Sequence, residues 1–227
     1  MKRLPEDGAM VLPQEVESYD SLSKNYLTLV EKKFVGRLVE LLPEQGPQRE
    51  LPVLDVGAGT ANIPIRLARG HSRLRIVALD LSWNMLDKAR SNLAEAGLDG
   101  RILPVCARAD QIPFRDESFG LVYSHSMLHH LPDPSAALNE IARVTAQGRR
   151  FIVRDLRRPP APILELYVRI FGAGYDPTMK KMYRESLHAG YTFREFKELA
   201  GRIRHAAATA RRFFITHVGI EGKRLKA

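Results

Sequence analysis

The run Val53-Leu54-Asp55-Val56-Gly57-Ala58-Gly59-Thr60 constrains this chain more than any other stretch. A short apolar segment ends in an acid, passes two glycines one residue apart, and enters a segment carrying Ile63, Ile65, Leu67 and Ala68. The pattern predicts a buried strand, a tight turn and an amphipathic helix. Glycine serves where the backbone must take φ > 0 or let a ligand come close, and a helix N-terminus offers N–H groups to that ligand. Such a turn holds a nucleotide-like molecule at the carboxyl end of a sheet.

The dinucleotide fingerprint G-x-G-x-x-G needs Gly or Ala at position 62, where this chain has Asn62. A phosphate-binding loop with Gly-Lys-Ser/Thr is also absent. What remains is D-x-G-x-G, followed by a second apolar run, Arg75 to Leu79, that ends in Asp80. A carboxylate after strand 2 can accept both hydroxyls of a ribose. With Asp55-Val-Gly-Ala-Gly59 and Asp80 in place, the chain resembles the class I S-adenosylmethionine-dependent methyltransferases, in the small-molecule branch that includes quinone-biosynthesis enzymes.

Hydrophobic content is 44% over 227 residues, enough for one domain with a full core and a modest cap. No apolar run approaches the ~18 residues of a membrane span, and the start lacks the apolar core of an export signal. The cytoplasm is the expected compartment. The single cysteine, Cys106, excludes an intramolecular disulfide and a cysteine-based metal cluster, and its strand pattern suggests a small buried filler. No metal site is expected, because the clustered histidines lack a third ligand at sensible spacing.

Charge is uneven. Of the net +9, residues 141–227 carry 19 Lys/Arg against 7 Asp/Glu, whereas the first 140 carry 16 against 19. A basic final third fits an anionic partner (RNA, an acidic membrane surface or an anionic small substrate) or a solvated face with none.

In chain order, residues 1–14 are rich in proline and charge and are expected to be poorly ordered, with one domain over 15–227. Residues 15–42 show helical periodicity, with Tyr19 and Tyr26 either packing on the sheet or facing a ligand. Strands are expected over 51–56, 75–79, 102–106, 121–124 and 150–154. Helices are expected over 82–96 (Ser82 as N-cap, Gly97 as stop), 135–145 (Gly148 as stop) and 193–200. Segments 204–211 and 213–219 read as a terminal hairpin.

The fold the resemblance implies is α/β: a doubly wound, seven-stranded, mostly parallel Rossmann-like sheet with a reversed last strand and a helical cap. The cofactor it implies is S-adenosyl-L-methionine. On the family pattern, Asp55, Gly57 and Gly59 meet its amino-acid end and Asp80 its ribose. The acid before the Ile112-Pro-Phe114 turn, Asp110, would meet adenine. Tyr26, Leu81, Gln111 and Ser124 complete the expected cofactor set. His125 and His129, in the Leu-His-His-Leu-Pro-Asp run after strand 4, are candidate catalytic groups; His129 has the chemistry of a general base. Residues 161–190 correspond to the family's substrate cap, with Arg154, Arg157 and Tyr183 as candidate substrate contacts. The Lys-Pro-Gly-Gly-type turn of the family is replaced by Ala146-Gln-Gly-Arg-Arg150. Two other readings stand beside a small-molecule enzyme. A nucleic-acid methyltransferase fits the basic third, although neither an Asn/Asp-Pro-Pro-Tyr/Phe tetrapeptide nor a cysteine nucleophile follows strand 4. A scaffold that keeps the fold without turnover is the other.

Overall fold

The computed structural model describes residues 3–4, 12–25, 28–42 and 51–226. Two helices lead, α1 (Pro13–Asn25) and α2 (Thr28–Leu41). Then come β1 (Val53–Val56), α3 (Asn62–Gly70), β2 (Ile76–Asp80), α4 (Trp83–Ala96), β3 (Ile102–Cys106) and β4 (Phe119–His125). A 3₁₀ turn at Leu128–His130 leads to α5 (Ser135–Val144), β5 (Thr145–Leu156), α6 (Leu164–Phe171), α7 (Pro177–Ala189), α8 (Phe193–Ala200), β6 (Ala206–Phe214) and β7 (His217–Arg224). The strand order is β3-β2-β1-β4-β5-β7-β6, parallel except that β7 runs antiparallel to both its neighbours. This is the doubly wound sheet with a reversed last strand.

Alternation along the strands divides the core into two layers. Leu54, Val56, Val122 and Val153 point to the side covered by α5 and α8. Val53, Leu121, Tyr123 and Ile152 point to the side covered by α2, α3 and α4, where Phe34 and Leu38 are buried. Burying one such side chain contributes about 2 kcal/mol.

Local chemistry sets the ends. The Ser82 hydroxyl accepts from Met85 N–H to start α4, and Gly97 closes it at φ 65°. At α8, the Thr192 hydroxyl accepts from the Glu195 N–H while Glu195 accepts from the Thr192 N–H. Glu195 also takes Arg158 Nη2 at 2.6 Å, and Arg158 Nη1 donates to Gly190 O at 2.9 Å. That arginine clamps together the two ends of the 161–190 excursion.

Several expectations need correction. Gly148 does not stop a helix: it sits inside β5 at φ 70°, and β5 starts at Thr145, five residues early. Cys106 is exposed because β3 is an edge strand with little packed over its end. The terminal hairpin runs to Arg224 rather than 219. Pro13 opens α1, and Arg3 donates to the carbonyls of Ala189, His129, Leu131 and Pro132 while lying 4.2 Å over the Tyr191 ring.

Candidate active site

At the carboxyl ends of β1, β2 and β4 the chain turns away and leaves a cavity of about 390 Å³. Gly57, Gly59, Asp80, Leu81, Ser82, Met85, Asp110 and Met127 are among its walls. Gly57 has φ 81°, and a Cβ there would run into the Met127 side chain, so both conformation and space demand glycine. Asp80 sits opposite. Its Oδ2 accepts from Gly59 N–H and its Oδ1 from Ser82 N–H, each at 2.8 Å. Burial raises the Asp80 pKa, with those two N–H groups pulling the other way. Each oxygen is thus fixed by the backbone and keeps further acceptor capacity. Asp110 lines the same cavity, gripped by Arg108 through Nε at 2.8 Å and Nη2 at 2.6 Å. That hydrogen-bonded pair holds the Asp110 carboxyl below its usual range.

Asp55 is buried beneath the glycine turn on the α2 side of the sheet, opposite Tyr123 in the strand register. Burial drives its pKa well up, with Asp80 and Glu31 adding to the rise. It lines a small pocket with Tyr19, Ser23, Glu31, Thr60, Asn62 and His125.

A second cavity, about 270 Å³, adjoins the first. Its walls combine His125, His129, His130 and His217 with Leu22, Leu156, Phe171, Met179, Met182, Tyr175 and Tyr183. Tyr19, Ser126 and His130 line both cavities. Ser126 has φ 53°, a left-handed conformation uncommon for serine, and its N–H donates to Arg154 O at 2.8 Å. That turn aims the chain from β4 across the junction. At the floor, His129 Nδ1 lies 2.6 Å from Asp155 Oδ1, and Asp155 also accepts from the N–H groups of His129 and Leu156. Burial alone would raise the Asp155 pKa. His129 and the Leu156 N–H outweigh it, and the net direction is down. His125 and His217 are both driven well below the ordinary imidazole value by burial, with the Arg154 charge adding to the effect.

The sequence-predicted residues divide accordingly. Asp80, Gly57, Gly59, Leu81 and Asp110 come together around the first cavity, and His125, His129 and Tyr183 around the second. Ser124 is wholly buried within β4, and the serine at the junction is Ser126, because the strand runs on to His125. Gln111 is exposed and lies outside the walls recorded for either cavity. Tyr26 lies outside the described residues. Arg154 and Arg157 line neither cavity. Arg154 shares the sheet face of Ile152, so strand alternation buries it 5.0 Å from the Phe34 ring; burial lowers its pKa to about 10, against the pull of Glu31 and Asp155. Arg157 reaches Ile215 O at 3.4 Å on the outside. Sequence reasoning passed over Met127 and His130, and left Tyr19 between packing on the sheet and facing a ligand; it lines both cavities. The signal available was their position just past β4 and on the helix ahead of β1.

Residues 54–153 match the methyltransferase domain family model. The chain is 33% identical over 162 residues to the malonyl-[acyl-carrier protein] O-methyltransferase of Geobacter sulfurreducens, an alignment covering 70% of this chain and 53% of that protein. It is 28% identical over 130 residues to the 27-O-demethylrifamycin SV methyltransferase of Amycolatopsis mediterranei, covering 57% and 46%. The chain spans about half the length of the curated relatives it matches. Among solved structures, an S-adenosyl-L-methionine-dependent methyltransferase from Methanococcus maripaludis superposes with a TM-score of 0.73, at 19% identity, over 99% of this chain and 98% of that one. Fold and glycine turn together define a class I methyltransferase domain. Over residues 54–153 the chain carries a methyltransferase domain, in the fold of the S-adenosyl-L-methionine-dependent methyltransferases that it resembles.

Proposed function

We propose that this chain methylates a small, uncharged acceptor that carries an ionisable O–H or N–H. The observation that carries the reading is the pair of adjoining cavities, sharing Tyr19, Ser126 and His130, with the His129–Asp155 pair facing the second. The first fits the cofactor: its volume lies within the usual range for small-molecule sites, and its fixed carboxylate and side-chain-free turn suit a ribose and an amino-acid end. When bound, S-adenosylmethionine supplies a methyl group on a positively charged sulfur, which departs as a neutral thioether once the acceptor's electron pair attacks.

The protein's task is alignment and proton removal. Holding nucleophile and methyl carbon in line at about 3–3.5 Å supplies much of the acceleration. With Nδ1 engaged by Asp155, Nε2 of His129 is the nitrogen placed to take the acceptor's proton, and the buried carboxylate stabilises the imidazolium that results. His125 and His217 stay neutral under their burial and act as polar walls. Residues 161–190 act as the substrate cap, α6 and α7 forming one side of the second cavity through Phe171, Met179, Met182 and Tyr183.

The acceptor is read as uncharged because, among the described residues, no Lys, Arg, Asp or Glu lines the second cavity, so an anion there would meet no countercharge. This sets aside the anionic small substrate, one of the readings that the basic final third left open. The reading carries a cytoplasmic location with it; among the described residues no helix is long and apolar enough to cross a membrane. The test is S-adenosylhomocysteine release from a panel of phenolic, enolic and carboxylic acceptors of similar size. Turnover confined to the carboxylates, or to RNA, would overturn the assignment.

A further inference from the structure

We propose that the outer face of α6 docks on an acidic lipid surface, presenting the mouth of the second cavity to the bilayer. Ile163, Leu166 and Ile170 follow at three- and four-residue steps and therefore share one face of this turn and helix. All three are exposed, Ile170 at 56%. Ile215, in the turn between β6 and β7, is 54% exposed, and its carbonyl accepts from the Tyr167 hydroxyl of α6 at 3.5 Å.

The opposite face of α6 is satisfied. Leu164, Tyr167 and Val168 are buried against Leu187, so the outward apolar stripe does not arise from a helix lacking a core. Position gives the stripe a use. Ile170 also lines the second cavity, next to the exposed Ala173 and Gly174 that line it too. The apolar rim therefore continues into the acceptor pocket.

Charge selects the occupant. Arg169 is exposed on α6 beside the stripe, and Arg157 reaches Ile215 O at 3.4 Å from the other side. Residues 141–227 hold a surplus of twelve positive charges. Apolar side chains flanked by cations suit the headgroup boundary of an anionic bilayer, where each cation adds attraction that salt screens. A second copy of the chain would bring the same arginines against themselves.

The experiment is co-sedimentation of the intact protein with vesicles of phosphatidylcholine alone and of phosphatidylcholine with phosphatidylglycerol at roughly one part in three. Binding is expected to the mixed vesicles only, and to weaken as salt is raised. The double variant Ile163→Ser/Leu166→Ser should lose about tenfold in apparent affinity, and Arg169→Glu should lose a similar factor, both with unchanged melting temperature. Failure to bind mixed vesicles, or binding unmoved by either variant, would overturn the proposal. So would a concentration-dependent dimer abolished by the double variant, which would assign the face to a second copy. The readout needs no turnover, so it stands apart from the test of the proposed activity.

Discussion

Asp155 Oδ1 lies 2.6 Å from His129 Nδ1, and both side chains are buried. The carboxylate is held below its usual pKa and stays ionised across the working range. It therefore fixes the imidazole's orientation and tautomer. His129→Gln should lower kcat by about 10²–10⁴ with S-adenosylhomocysteine binding retained. A variant with full kcat would show that alignment alone suffices.

Gly57→Ala tests the turn. The backbone at φ 81° disfavours any side chain, and the added carbon meets Met127. The strain should cost about 1–3 kcal/mol of stability and weaken S-adenosylhomocysteine binding. Adding Met127→Ala should relieve the collision but not the dihedral strain, recovering only part of both. Full recovery in the double variant would mean that crowding, not backbone conformation, requires the glycine.

Stability should fall in mild acid. His125 and His217 have folded-state pKa values well below the ordinary 6.5, so the unfolded chain binds protons first as pH drops. Their contribution is complete above about pH 6.5 and declines below it, before most carboxylates titrate. Urea midpoints measured at pH 7 and pH 5.5 should show the decline, and His217→Leu should make it shallower. Equal midpoints at the two pH values would mean that these histidines are protonated in the native state.

What the sequence made legible was local chemistry. The glycine turn, Asp80 after β2 and the Ser82 cap each state their role within a few residues. What it hid depends on partners distant in the chain. Arg154 ends the expected strand 150–154 and reads as a group at the mouth, yet β5 runs on to Leu156 and alternation turns Arg154 under α2 onto Phe34. Ser124 rather than Ser126 looked like the end of β4 because the polar Ser-His pair ends the apolar run before the strand ends. Gly148 resembled a helix stop because its left-handed φ serves equally in an irregular strand. The second cavity draws walls from α1, β4, α6, α7 and β7, and no single stretch of sequence contains it.

The most direct test of the central claim is calorimetric titration of the protein, and of Asp80→Ala, with S-adenosylhomocysteine. One site per chain is expected. The substitution removes two charge-assisted hydrogen bonds to ribose, each worth about 1.5–3 kcal/mol, and so should weaken binding at least ~10-fold. Asp80→Glu should fall in between. No heat of binding in the wild type, or equal affinity in wild type and Asp80→Ala, would contradict the assignment of the first cavity to the cofactor.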